Sequence, residues 1–295
     1  MLWGHATGWV VESDSVVSYS HSRRAYGLDN NKDLGLRDDR WMNITQMAQA
    51  LKGLPKFDFI FADCCHMMTA EVGYELRDVT SYLIGSPSEF PGYGAPYDVI
   101  IPQLFKNGRE LYRGIIDTYY NYYMERYIAK KSRWEGYSVP LSVIDTRYMG
   151  QLAQATRDVL SLFTGGYPQY PETPNLQNLV YYCGIDVPFM YDMRALIKRN
   201  TPEAVFQSWD KVYQQAVPYY RMSMRWMTVY NGLFGHWNLI GDFPDFDQDE
   251  SLYGCLSMYI PRNTESYNGG DYQYNKTANN FGWNRIIDWS RFGWN

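Results

Sequence analysis

The chain has 295 residues, enough for one large domain or two smaller ones, and its 45% hydrophobic and 20% charged content is that of a soluble globular protein. A net charge of −5 with no basic stripe excludes a nucleic-acid binder, and no apolar run reaches the roughly 18 residues of a transmembrane helix. Cys64, Cys65, Cys183 and Cys255 are too few for a disulfide framework, form no C-x-x-C zinc motif, and include an adjacent pair with poor geometry for a bridge.

Aromatic residues are in excess at 17%, read first as packing. The start, "MLWGHATGWVVESDS", lacks the basic and long apolar regions of a signal peptide. Its apolar residues 1 to 3 read as a strand, which Gly4 to Gly8 break into a loop. Residues 12 to 40 are polar and irregular, and a loop of that length in a compact domain is usually functional or flexible. Residues 44 to 52 follow a helical period behind Asn43 as N-cap, stopped by Gly53-Leu54-Pro55.

Phe57 to Ala62 is an apolar run broken only by Asp58, suited to a strand buried on both faces. From His66 to Val79 the spacing predicts a helix, and Tyr82 to Ser86 a short strand. A Pro/Gly loop, "PSEFPGYGAPYD", leads to a long Tyr-rich helix over 108 to 129, a strand over 139 to 144 and a helix over 146 to 163. Strands and helices in turn argue for an α/β domain with a mostly parallel sheet. After the linker-like "GGYPQYPETPN", helices are expected around 189 to 199 and 202 to 228, a strand near 252 to 260, and an irregular aromatic tail. The expected division is a catalytic domain over 1–145 and a mainly helical subdomain with a few strands over 146–295.

Sites in α/β folds lie where parallel strands end at one edge of the sheet. One such strand here ends at His5 and the other at the Cys64-Cys65 pair. An imidazole can take a thiol's proton and later deliver one to a leaving group. Cys65 would open the helix beginning at His66, whose N-terminus favours a thiolate. A cysteine is also an ordinary small buried hydrophobe, and a histidine an ordinary polar group. If side chains alternate at the strand end, the two thiols face opposite sides and only one meets His5.

Together the segments "LWGHATGW" and "FDFIFADCCHMMTAEVGYELRDVTSYLIGSPSEFPGYGAPY" resemble the clostripain family of cysteine peptidases. The shared pattern is an apolar strand into Trp-x-His-x-x-Gly-Trp, another into Asp-x-Cys-x-Met-x-x-x-Glu, then Tyr-Glu-Leu-Arg-Asp, Gly-Ser and Pro-Gly-x-Gly-x-Pro-Tyr. The similarity is dense over residues 1 to 97 and continues more weakly in "VPLSVIDTRYMGQL" and "FMYDMRALIK". It implies a caspase-like α/β/α sandwich and a Cys-His dyad, with Cys65 as nucleophile and His5 as general base. Asp63 matches the acid at the base of the S1 pocket, which suits a substrate Arg or Lys through a charge-assisted pair. The oxyanion donors would be the backbone N–H groups of Cys65 and Ala6. Protein or peptide substrates with Arg or Lys at P1, and a secreted or envelope location in a bacterium, are further implications of the resemblance.

The chain also departs from the family. Cys64 and Ala6 stand where relatives carry small residues, Ala and Gly respectively. His66 replaces an apolar residue and is expected at the surface; Tyr93 replaces an acid that helps hold a basic side chain, in the same S1 region. Relatives are activated by cleavage after a basic residue between the dyad members, which Lys32, Arg37, Arg40 or the Arg23-Arg24 pair could supply. Thiol–imidazole chemistry requires no cofactor. Some relatives depend on calcium, for which Asp245, Asp247 and Asp249 offer hard oxygen ligands without the Gly and distal Glu of an EF-hand loop. The caspase-like fold also implies an upstream segment of the same protein that completes the sheet. The rival reading is a weak or inactive relative used as a binding or scaffold module, with an amidase on the same fold behind it.

Overall fold

A computed structural model describes residues 1–4, 6, 8, 26–29, 40–130, 138–162, 174–183, 190–230, 235–239, 253–260 and 281–289. In chain order the elements are β1 (Leu2–Trp3), β2 (Tyr26–Asp29), β3 (Arg40–Met42), α1 (Ile44–Leu51), β4 (Phe57–Asp63), α2 (Ala70–Glu75), β5 (Thr80–Gly85), α3 (Tyr97–Ile100), α4 (Gly108–Lys130), β6 (Leu141–Asp145) and α5 (Met149–Ser161). They continue with β7 (Tyr181–Cys183), β8 (Met190–Asp192), α6 (Met193–Asn200), α7 (Glu203–Ala216), β9 (Tyr219–Arg221), β10 (Arg225–Tyr230), β11 (Gly235–Leu239), β12 (Ser257–Tyr259) and α8 (Gly282–Ile287).

The central sheet has the order β1-β4-β5-β6-β9. β1, β4 and β5 are parallel, and β6 is antiparallel to both β5 and β9, so four strands share one direction and β6 opposes them. The sheet is mostly parallel and lies between helical layers, as a caspase-like fold requires. Alternation sends side chains to both faces, and burial is deepest in β6, the second half of β4 and the end of β5, while β1, the start of β4 and β9 stay partly exposed. Phe61, Ile84, Leu141 and Val143 meet Leu111, Ile115, Ile116 and Tyr119 of α4. Ile60, Ala62, Leu83 and Ile144 join the opposite cluster, with residues of α1, α2, α5, α7 and α8. Each large apolar side chain buried this way stabilises the fold by about 1.5–3 kcal/mol. Residues on both sides of position 145 contribute to that cluster, and β9 extends the sheet.

Several elements differ from expectation for identifiable reasons. The helix expected from His66 begins only at Ala70, because His66 takes a left-handed backbone with φ of 56°. The segment expected to be helical from 189 starts instead with β8 before α6. The helix expected over 202 to 228 ends at Ala216 and gives way to β9 and β10. Pro218 accounts for that stop: it has no N–H to donate and pushes the preceding residue out of helical geometry. The tail contains α8, whose Trp283 is fully buried against Tyr74 with ring centroids 6.2 Å apart.

Candidate active site

β4 delivers Asp63 to the edge of the sheet, beside β1, where Trp3 is paired with Asp63 in parallel register. Alternation then separates the two cysteines. Cys64 is 2% exposed and belongs to the apolar cluster with Met67 and Met68. Cys65 is half-buried, and its sulfur accepts the Phe90 N–H at 3.3 Å. The ring of Phe90 stacks on Tyr119 with centroids 5.0 Å apart, which fixes that donor.

Beyond Cys65 the chain turns sharply at His66. The turn is tied to the loop after β5: the His66 N–H donates to the Ser88 carbonyl (3.1 Å) and the Met68 N–H to that of Ser86 (3.0 Å). α2 starts four residues later, capped by Thr69, whose Oγ1 accepts the Val72 N–H at 3.1 Å. Cys65 therefore does not open a helix, and the expected help from a helix N-terminus is absent. His66 is not a surface residue either. It is 5% exposed, with Nδ1 3.1 Å from the Pro87 carbonyl and Nε2 3.5 Å from Glu89 Oε1.

The electrostatics at the sulfur follow from this packing. Burial pushes the Cys65 thiol well above its ordinary range, and the neighbouring Glu89 carboxylate adds to the rise. The Phe90 N–H acts in the opposite direction. Such a thiol keeps its proton at neutral pH until a base takes it.

Asp63 is 4% exposed. Its Oδ2 accepts the Ala95 N–H at 2.7 Å and the Tyr97 hydroxyl at 2.5 Å. Its Oδ1 is buried and makes no hydrogen bond of ordinary length among the described residues, though the Tyr119 hydroxyl acts on the carboxylate and favours its charged form. Burial raises its pKa above the ordinary 3.8, against the donors that favour the charged form. Gly94, with φ of 72°, brings the loop onto this carboxylate: a Cβ there would lie 2.9 Å from Asp63 Oδ2 and 3.1 Å from Trp3 Nε1. Tyr93, the preceding residue, is 78% exposed.

Of the other residues expected at the site, His5 lies outside the described residues. Ala6 is buried in the cluster that also holds Cys64. Gly8, with φ of 69°, packs so closely that a Cβ on it would collide with the His66 carbonyl oxygen. Trp3 and Gly8, on either side of His5 in sequence, thus both lie against residues that flank Cys65. Arg40 opens β3, opposite Asp29 of β2 in an antiparallel pair, while Lys32 and Arg37 lie outside the described residues, as do Asp245, Asp247 and Asp249. Among the described residues no group of three or more His, Cys, Asp or Glu could hold a metal ion, and no helix is long and apolar enough to cross a membrane.

Glu89 escaped the sequence reading because it sits in a Pro/Gly loop without periodicity. One signal pointed to it: loops that follow parallel strands converge on one sheet edge. The loop after β5 therefore had to meet the residues that follow β4.

Solved structures share this fold. A secreted C11 cysteine protease from Bacteroides thetaiotaomicron, solved with an irreversible peptide inhibitor, superposes with a TM-score of 0.74 at 27% identity, covering 97% of this chain and 71% of its own. A B. fragilis cysteine protease gives 0.69 at 29% identity, covering 88% of this chain and 98% of its own. An inactive zymogen C11 protease from Parabacteroides distasonis shares the fold, with a TM-score of 0.67 at 23% identity over 97% of this chain and 68% of its own. No curated protein sequence matches the chain. The clostripain family model matches residues 1–292, so the chain belongs to the clostripain family and is a cysteine peptidase.

Proposed function

We propose that the protein is an endopeptidase that cleaves after Arg or Lys, with Cys65 as nucleophile, His5 as general base and Asp63 as the receptor for the basic side chain. The observation that carries the specificity is the half-satisfied Asp63 carboxylate. One oxygen is held by Ala95 and Tyr97, while the other is buried without a hydrogen bond of ordinary length among the described residues. A guanidinium or ammonium would supply that missing donor with a charge-assisted bond, and a neutral side chain would leave it unmade. Support for the dyad comes from the parallel register that pairs Trp3 with Asp63. His5 and Cys65 each follow their paired residue by two positions.

In this reading Cys65 Sγ attacks the scissile carbonyl as His5 accepts its proton. The carbonyl oxygen becomes an oxyanion received by the backbone N–H groups of Cys65 and Ala6. The C–N bond then breaks, His5 returns the proton to the leaving amine, and a thioester remains. Water, deprotonated by His5, hydrolyses the thioester to a carboxylate and restores the thiol. Tyr93 borders this pocket as an exposed neighbour of Gly94.

Activation by cleavage would fall at Lys32 or Arg37, between β2 and β3, in preference to Arg40, whose backbone is already paired in β3. An upstream segment of the same protein would find the edge of the sheet at β1. Calcium enters only as an optional ligand of Asp245, Asp247 and Asp249, since the thiol chemistry does not call on it. An extracellular or envelope location accords with the secreted Bacteroides relative.

The test is labelling with a Lys- or Arg-directed acyloxymethyl ketone, followed by mass spectrometry, with Cys65→Ala and Cys64→Ala as controls. The expected result is an adduct on Cys65 that survives Cys64→Ala and disappears in Cys65→Ala. An adduct on Cys64, or none on the processed protein, would overturn the assignment.

A further inference from the structure

Three tyrosines shape the surroundings of Asp63, and they do not treat its two oxygens alike. The loop before α3 closes over Oδ2. Gly94 lies so near that a Cβ on it would stand 2.9 Å from that oxygen. Ala95 then donates its N–H to Oδ2 at 2.7 Å, and Tyr97, the first residue of α3, donates its hydroxyl at 2.5 Å. A carboxylate oxygen offers two lone pairs, so Oδ2 is filled. From α4, Tyr123 fixes the same loop by donating its hydroxyl to the Gly94 carbonyl at 2.5 Å.

Tyr119, one turn earlier on α4, stands differently. It is fully buried, with the Phe90 ring stacked on it at 5.0 Å between centroids, Tyr123 at 5.2 Å and Phe61 edge-on at 6.4 Å. Its hydroxyl acts on the Asp63 carboxylate, yet neither that hydroxyl nor Oδ1 makes a hydrogen bond of ordinary length among the described residues. Burial keeps Tyr119 a neutral phenol, whose oxygen can accept as well as donate. The pocket therefore holds two buried oxygens that can each accept a proton donor, one on Asp63 and one on Tyr119.

The two basic side chains suit such a pocket unequally. A guanidinium pairs best with a carboxylate as a planar fork, one N–H to each oxygen. With Oδ2 filled, that fork cannot form, and N–H groups of the guanidinium are buried without acceptors. An ammonium is a compact charge on a flexible stem with three donors. One of them can meet Oδ1 and a second the Tyr119 hydroxyl.

We infer that the pocket selects lysine over arginine at P1, with Tyr97 withholding Oδ2 from a guanidinium and Tyr119 supplying an ammonium with its second acceptor. The inference rests on Asp63 being the receptor for a basic side chain and adds which of the two cations it prefers.

The experiment is kcat/KM for three fluorogenic peptides that differ only at P1, carrying Lys, Arg or the neutral norleucine, on the processed wild type, Tyr97→Phe and Tyr119→Phe. Wild type is expected to favour Lys over Arg about tenfold, the cost of leaving buried donors unmatched. Tyr97→Phe frees a lone pair on Oδ2 and is expected to narrow that ratio about threefold by improving Arg relative to norleucine. Tyr119→Phe is expected to narrow it by a similar factor through a loss on Lys. A pocket that had merely loosened would weaken both basic substrates together and leave the ratio alone. Arg cleaved as fast as Lys by wild type, with both far ahead of norleucine, overturns the preference and leaves Asp63 as the receptor. Neither basic residue ahead of norleucine overturns both. A Lys-to-Arg ratio that holds in the two variants, shown to be folded by thermal unfolding, overturns the roles of the tyrosines. If turnover is too slow to measure, the rates at which Lys- and Arg-directed acyloxymethyl ketones label Cys65 give the same ratio.

Discussion

Two buried aspartates in this molecule have opposite fates. Asp192, at the start of α6, is 0% exposed and has all its acceptor positions engaged. Its Oδ1 accepts the Ala195 and Gly254 N–H groups at 2.9 and 3.2 Å, and its Oδ2 those of Gly254 and Cys255 at 3.0 and 3.1 Å and the Tyr182 hydroxyl at 2.7 Å. Asp63, at the end of β4, has two donors on one oxygen and, among the described residues, no hydrogen bond of ordinary length on the other. A carboxylate enclosed by donors welds chain segments together. One left half-satisfied in a wall of the site is a cost to the fold that a cationic ligand can remove.

That contrast can be broken by exchanging what each acid is asked to do. The larger effect is expected at Asp192→Ala, which strands the donors of residues 182, 195, 254 and 255 and removes the cap of α6. A loss of about 3–5 kcal/mol is expected by denaturant unfolding, with the peptidase activity of the remaining folded fraction unchanged. Asp63→Asn should do the reverse. Its kcat/KM for Lys or Arg substrates is expected to fall about 10²–10³-fold, while the unfolding midpoint holds or rises. The sign follows from linkage: burial raises the folded-state pKa of Asp63, so its ionisation opposes folding above that value, and Asn removes the opposition. The same direction predicts that preference for a basic P1 residue fades as pH falls through a value above the ordinary 3.8. Selectivity ratios measured across pH, basic against neutral P1, would read this directly, and Asp63→Asn should flatten the curve.

The sequence was informative where one local cause decided the outcome. Phe57 to Ala62 does form a strand, though only from Ile60 on is it buried while Phe57 and Asp58 are exposed, and Asn43 does cap α1, with Oδ1 accepting the Thr45 N–H at 3.1 Å. Asp63 and Cys65 were legible through the motif that contains them, and their separation from Cys64 through strand alternation. Pro218 was equally visible, but the apolar spacing on either side of it imitated a continuous helix. Elsewhere tertiary contacts decided. α8 has only six residues and no side-chain cap, and it is held by Trp283 against Tyr74 and by the Gly282 N–H on Glu75 Oε1 at 2.5 Å. His66 fits a helical spacing as well as any residue; only the partners 20 or more residues away, Pro87 and Glu89, fix it in a turn. Neighbours that distant in sequence leave no periodic trace.

The most direct test is the crystal structure of the protein joined through Cys65 to a Lys-directed acyloxymethyl ketone. The expected result is the ligand ammonium within about 2.7–2.9 Å of Asp63 Oδ1, with the Ala95 and Tyr97 bonds to Oδ2 retained. A lysine side chain directed away from Asp63, with Oδ1 still unpartnered or met only by water, would contradict the assignment.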